Sequence, residues 1–156
     1  MGLDQYLYAN KNIGAGEWRG AEENKQFSDV LDVMNARGIT DKADIPSMNI
    51  GIQVGYWRKA NQIHGWFVDN VQNEMDDCRD YYVDREQLRE LLVTCQAIAQ
   101  DRSKAEKLLP PTAGFFFGSD EIDEWYWQDI DNTIEMLSYV LENVGNEWSF
   151  TYRASW

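Results

Sequence analysis

Apolar residues in this chain switch repeatedly between a spacing of two and a spacing of three to four, and the order of those switches limits the fold more than any composition figure. Gly2 to Tyr8 alternates apolar with polar residues, the period of a half-buried strand. Gly14, Gly16 and Gly20 then form a loop, and Phe27, Val30, Leu31 and Met34 recur at helical spacing before Gly38, which predicts a helix over about 21–37. After Pro46, Ile50, Ile52 and Val54 alternate with Gly51 and Gln53, marking a second strand that runs toward Tyr56. From Trp57 to Gln72 the period becomes helical, with Ala60, Ile63, Phe67 and Val71 on one stripe.

A charged loop over 73–80 leads to Asp84 and Gln87, which have the spacing of a capping box and predict a helix over 85–100 carrying Leu88, Leu91, Leu92, Cys95 and Ile98. Pro110 and Pro111 end a short amphipathic piece, since neither can donate to a helix ladder. Phe115, Phe116 and Phe117 read as a short buried strand closed by Gly118. Ser119 or Asp120 then caps a long helix marked by Trp127, Ile130, Ile134, Leu137, Leu141 and Val144, and Trp148, Phe150, Tyr152 and Ala154 alternate as a closing strand. The order β, α, β, α, α, β, α, β lacks the regular crossovers of a doubly wound sheet. It predicts a single α+β domain over 1–156, with a small mixed or antiparallel sheet of about four short strands covered by about four helices, and with 13–45 as a possible insertion.

Charge narrows the partners. The chain carries 27 Asp and Glu against 14 Lys and Arg, a net charge of −13, and no basic residue stands between Lys107 and Arg153. Nine carboxylates fall in that interval: Asp120, Glu121, Asp123, Glu124, Asp129, Asp131, Glu135, Glu142 and Glu147. Such a field repels nucleic acid and anionic membranes and attracts basic protein surfaces. No run approaches the roughly 18 apolar residues of a membrane span, and Met1 to Tyr8 has no basic-then-apolar pattern, which together predict a cytoplasmic protein. Cys78 and Cys95 have neither CxxC spacing nor a disulfide framework, and Cys95 reads as a buried thiol.

The polar-aromatic segment Tyr56, Trp57, Arg58, Lys59, Asn61 and His64 holds the single histidine beside two cations. Read as a helix, it places Trp57, Arg58, Asn61 and His64 along one face, each within a turn of the next, with aromatic rings to stack a base and cations to meet a phosphate. The same composition is compatible with rings in a core and cations paired to surplus acids, and His64 with a structural histidine. Glu74, Asp76, Asp77 and Asp80 gather carboxylates without the spacing of an EF-hand, so a solvated loop is expected rather than a metal site. GxGxxG, GxxxxGK[ST], HExxH and GxSxG are absent. No cofactor is expected, and nothing specific argues for catalysis.

Several short runs resemble a family of small acidic proteins found in bacteriophages and bacterial genomes: Gly2-Leu3-Asp4, Tyr56-Trp57-Arg58-Lys59-Ala60-Asn61 with Ile63-His64, and Asp76-Asp77-Cys78 with Tyr81-Tyr82-Val83. Leu108-Leu109-Pro110, Gly114 to Ser119 and the closing Ser155-Trp156 extend the likeness to about two-thirds of the chain, with 13–45 outside it. No activity is established for that family, so no residue's role carries over. The resemblance implies a context, action against host defence systems.

Three functions follow as expectations. The first is a non-enzymatic inhibitor of a host defence system, whose acidic helix binds a basic nucleic-acid-binding protein surface through Asp120, Glu121, Asp123, Glu124, Asp131 and Glu135 and does not itself bind nucleic acid. The second is a small-nucleotide-binding, signal-sequestering protein using Tyr56, Trp57, Arg58, Lys59, Asn61 and His64. The third is a small hydrolase or transferase centred on His64.

Overall fold

The computed structural model describes residues 2–38, 45–114 and 119–156. Among them the chain runs β1 (Asp4–Gly14), α1 (Ala21–Ala36), β2 (Ser47–Arg58), α2 (Asn61–Asn70), β3 (Tyr81–Val83), α3 (Arg85–Gln100), α4 (Ala105–Leu108), α5 (Glu124–Asn143) and β4 (Ser149–Ser155), with a short 3-10 turn at Arg102–Lys104. The fold class is α+β, with an open antiparallel sheet in the order β2-β1-β4-β3. The chain divides into two compact units, residues 1–9 with 52–156 and residues 10–51. The expected insertion at 13–45 falls within the second.

In the smaller unit, α1 buries only Phe27 of its apolar stripe. The Asn24 side chain closes the preceding loop by accepting from the Gly16 N–H at 3.0 Å and donating back to the Gly16 and Arg19 carbonyls at 3.2 Å. Arg19 pairs with Glu23 one turn on.

The larger unit holds the main core. Period-two alternation places Gln5, Leu7 and Ala9 of β1 and Phe150, Tyr152 and Ala154 of β4 on the buried side. Against them pack Ile63 and Phe67 of α2, Leu88, Leu91, Cys95 and Ile98 of α3, and Ile130, Leu137 and Val140 of α5. Each Leu, Ile, Val or Phe among them contributes about 1.5–3 kcal/mol on removal from water. Phe67 lies face to face on Tyr152, with centroids 3.8 Å apart and planes 10° from parallel, fixing α2 on the sheet.

Local signals account for the helix ends. Asp84 and Gln87 form the expected capping box: the Asp84 carboxylate accepts from the Gln87 N–H at 2.7 Å, and the Gln87 side chain accepts from the Asp84 N–H at 3.0 Å. The cap of α5 differs from expectation. Neither Ser119 nor Asp120 caps it; the Asp123 carboxylate does, accepting from the N–H groups of Trp125 and Tyr126 at 3.0 and 3.1 Å. Ser119 instead closes a small turn by accepting from the Glu121 N–H at 3.1 Å. At the far end Arg85 reaches the carbonyls of Leu141, Val144 and Gly145 at 3.3, 2.9 and 2.9 Å, satisfying acceptors that a helix C-terminus leaves unpaired.

The sheet also corrects two readings. The strand expected at Phe115–Phe117 lies outside the described residues. A fourth strand comes instead from Tyr81–Val83, which pairs with Phe150–Tyr152, and its three residues are too short to display a period. The helix expected from Trp57 begins only at Asn61, because β2 continues through Arg58 and Lys59 breaks the chain direction at a φ of 60°. That left-handed conformation costs a non-glycine residue about 1–2 kcal/mol. It is held by the Lys59 N–H donating to the Leu3 carbonyl at 2.8 Å.

Candidate ligand pocket

Because residues 56–58 are a strand, their side chains alternate instead of sharing a helical face: Trp57 turns inward and is buried, while Tyr56 and Arg58 are exposed. The Trp57 indole N–H donates to the Thr133 hydroxyl of α5 at 2.9 Å. After the turn at Lys59, the Asn61 side chain donates to the Ser119 carbonyl at 2.7 Å and accepts from the Thr112 N–H at 2.9 Å, tying the start of α2 to two points of the chain between α4 and α5. Gln62 donates to the Asp129 carboxylate at 3.2 Å.

These ties leave a cavity of about 680 Å³ within the larger unit. One wall is Tyr56 through Gln62 without Ala60; the other is Glu121, Asp123, Trp125, Tyr126, Gln128, Asp129 and Asn132. Pockets of small-molecule ligands fall in the range of about 300–1,000 Å³. Arg58 and Lys59 supply positive charge, Glu121, Asp123 and Asp129 negative charge, and Trp125, 70% exposed, an uncovered indole. Burial pushes the half-buried Asp129 carboxyl up to about 6, with the neighbouring Asp123 charge acting in the same direction and the Gln62 hydrogen bond opposing both. A carboxyl so placed changes charge near neutral pH and retains acceptor capacity.

The expected site residues separate into three groups. Tyr56, Trp57, Arg58, Lys59 and Asn61 line the cavity. His64 does not: its ring is 0% exposed, with Nδ1 2.8 Å from the Tyr152 hydroxyl and Nε2 2.9 Å from the Asp76 carboxylate. Burial pushes the His64 pKa down, and Asp76 opposes that shift. Of the expected partner-binding acids, Glu121 and Asp123 line the cavity and Asp123 also caps α5, while Asp120 precedes the helix. Glu124, Asp131 and Glu135 are exposed on α5. Gln62, Trp125, Gln128, Asp129 and Asn132 were not among the expected site residues. Trp125, Asp129 and Asn132 stand at i, i+4 and i+7, a spacing that shares one helical face and is visible in the sequence.

Two carboxylates of the acidic loop are tied up as well. Asp76 faces His64, and Asp77 accepts from Arg79 at 2.6 Å and from the Tyr81 hydroxyl at 3.1 Å. Among the described residues no group of three or more His, Cys, Asp or Glu is placed to hold a metal ion, and no helix is long and apolar enough to cross a membrane. Cys95 is buried, with its thiol pushed up to about 12 by desolvation, so it stays a neutral packing group.

No family model matches the chain, and no curated protein or solved structure matches it either.

Proposed function

We propose that this protein binds a small nucleotide in the cavity between the end of β2 and the first half of α5. The observation that carries this reading is the joint presence, around one ligand-sized space, of the half-buried Asp129 carboxylate, the cations Arg58 and Lys59, and the open Trp125 indole. An aromatic ring stacks a base, cations meet phosphate, and a carboxylate accepts from base or sugar donors. In the context the sequence resemblance implies, such binding sequesters a signal of a host defence system. His64 takes no part, since its ring is enclosed and both ring nitrogens are engaged.

Thermal shift and calorimetry against a panel of mono-, di- and cyclic nucleotides test the reading. A ligand at 100 times its Kd stabilises the fold by about 2.7 kcal/mol, and the shift is expected to vanish in a Trp125→Ala, Arg58→Ala variant. No shift with any nucleotide at millimolar concentration would overturn it.

A second reading, an inhibitor that meets a basic protein surface, is favoured by a separate observation. Glu124, Asp131, Glu135 and Glu142 are exposed at offsets of 7, 11 and 18 residues, which at 100° per residue fall within about 20° of one line along α5. Tyr139, 67% exposed, stands beside that line. Capture of a basic partner that weakens steeply with salt is the expected result, and binding indifferent to salt excludes this reading.

A further inference from the structure

The polar groups around the cavity are not equally available to a ligand. Asn61 has both ends of its amide engaged, by Ser119 and Thr112. The Gln62 amide N–H₂ is directed at Asp129, and the Asp123 carboxylate holds the first N–H groups of α5. Asp129 differs. Its Oδ2 accepts one bond from Gln62, whereas an ionised carboxylate offers about four lone-pair sites on two oxygens. Its backbone is fixed, because the Thr133 hydroxyl donates to the Asp129 carbonyl at 2.6 Å and accepts from the buried Trp57 indole. A rigidly held carboxylate with spare lone pairs accepts from two adjacent donors and repels an acceptor.

We propose that Asp129 selects, among nucleotides, those presenting two adjacent hydrogen-bond donors to it, supplied either by the N1–H and 2-amino group of a guanine-type base or by the cis-diol of a ribose. This rests on the nucleotide reading of the same cavity and adds to it the ligand class. Adenine and cytosine each present a donor beside an acceptor on the corresponding edge, and the acceptor would face the carboxylate oxygens. Ionisation governs the selection. The charged form takes two donors, whereas the protonated form presents one donor and one acceptor and loses the discrimination, so selectivity follows the Asp129 titration near pH 6.

Calorimetry on the full chain with GMP, IMP, AMP, XMP and 2′-deoxy-GMP separates the possibilities. If the base is read, GMP is expected at pH 8 to bind about tenfold or more tightly than AMP, the discrimination of one good bidentate pair; if the sugar is read, GMP and AMP bind alike and 2′-deoxy-GMP binds about tenfold more weakly than either. A matching loss on removing the 2-amino group (IMP) assigns the pair to the base, and a loss on removing the 2′-hydroxyl assigns it to the sugar. Asp129→Asn is expected to abolish the preference; if the base is read, XMP binding rises, because the xanthine edge offers the donor and acceptor that an amide complements. The preference is also expected to shrink at pH 5. If nucleotides bind but neither Asp129→Asn nor pH alters their order, this proposal fails while the nucleotide reading stands. If none binds the wild-type chain, both fail.

Discussion

The Trp57 indole and the Thr133 hydroxyl form a buried hydrogen bond of 2.9 Å that joins the last residues of β2 to the middle of α5. Both cavity walls depend on it, since Trp57 belongs to one and Thr133 holds the carbonyl of Asp129 in the other. Thr133→Val keeps the shape and removes the acceptor, leaving an indole N–H buried without a partner. The expected cost is about 1–3 kcal/mol in chemical denaturation, with Thr133→Ser recovering most of it. A Thr133→Val variant as stable as the wild type would show that the bond does not hold the walls together.

Asp129 carries the opposite expectation. Its folded pKa of about 6 lies above the ordinary 3.8, so the folded state binds the proton more tightly than the unfolded chain. Folding stability therefore falls as pH rises from about 4 to about 6, and stays lowered above that. Asp129→Asn removes the desolvated charge and keeps an acceptor for Gln62. It is expected to raise stability at pH 7–8 by about 1–3 kcal/mol, with little change at pH 3.5, as read by urea unfolding at the two pH values. A gain in stability that weakens ligand binding is the pattern of a residue retained for function.

The parts of this fold legible in the sequence are those whose cause is local. The Asp84–Gln87 capping box and the three-and-four spacing after it locate α3 at its observed bounds, because both signals lie within one helix. The alternation of Phe150, Tyr152 and Ala154 locates β4 for the same reason. Failures occur where a distant partner decides. Nothing in Tyr81–Val83 announces a strand until β4 lies alongside it. At Trp57 the apolar stripe of α2 runs back into a strand whose end is set by the Lys59 N–H meeting Leu3. The site was half legible: aromatics and cations at 56–61 stood out, but a contact across 67 residues brings Gln62 to Asp129. Of the acids expected to meet a partner, the fold places Glu121 and Asp123 at the cavity, together with Asp129, and leaves Glu124, Asp131 and Glu135 exposed with Glu142.

His64 and Tyr152 belong to a buried chain in which the Tyr152 hydroxyl also meets Gln5 at 2.9 Å and Gln5 donates to the Ala60 carbonyl at 3.0 Å. With a neutral ring protonated at Nε2 to serve Asp76, the Tyr152 hydroxyl has one proton for two acceptors, Nδ1 and the Gln5 oxygen. An imidazolium would satisfy every contact, yet burial opposes the charge. The lowered pKa means that the unfolded chain binds this proton more readily than the folded one. The His64 contribution is thus intact above about pH 6.5 and declines as pH falls below it, opposite in sign to Asp129. Urea unfolding from pH 8 to 5 in an Asp129→Asn background isolates this term: stability is expected to fall toward pH 5, and His64→Gln to flatten the curve. A wild-type His64 chain that gains stability on acidification in that background would contradict the lowered pKa.

The outward carboxylates of α5 test how much charge the helix bears for reasons other than folding. Among the described residues, no ion pair engages Glu124, Asp131, Glu135 or Glu142. Asp131 and Glu135 stand four residues apart, a like-charge arrangement that costs about 0.2–0.5 kcal/mol. Converting the four to Asn or Gln is expected to leave the fold intact and change the melting temperature only slightly at low salt, because relief of this repulsion is offset by the loss of Glu124 from the positive first turn of α5, and screening at 0.5 M salt shrinks both effects. Asp123 must be left out of the set, because it caps the helix and its loss costs about 0.5–2 kcal/mol. Nucleotide affinity is expected to stay unchanged in the fourfold variant, since none of the four lines the cavity, whereas capture of a basic protein partner would be lost. The fourfold variant therefore separates the two functional readings: loss of nucleotide binding with the fold retained would show that the outer row and the cavity act as one surface.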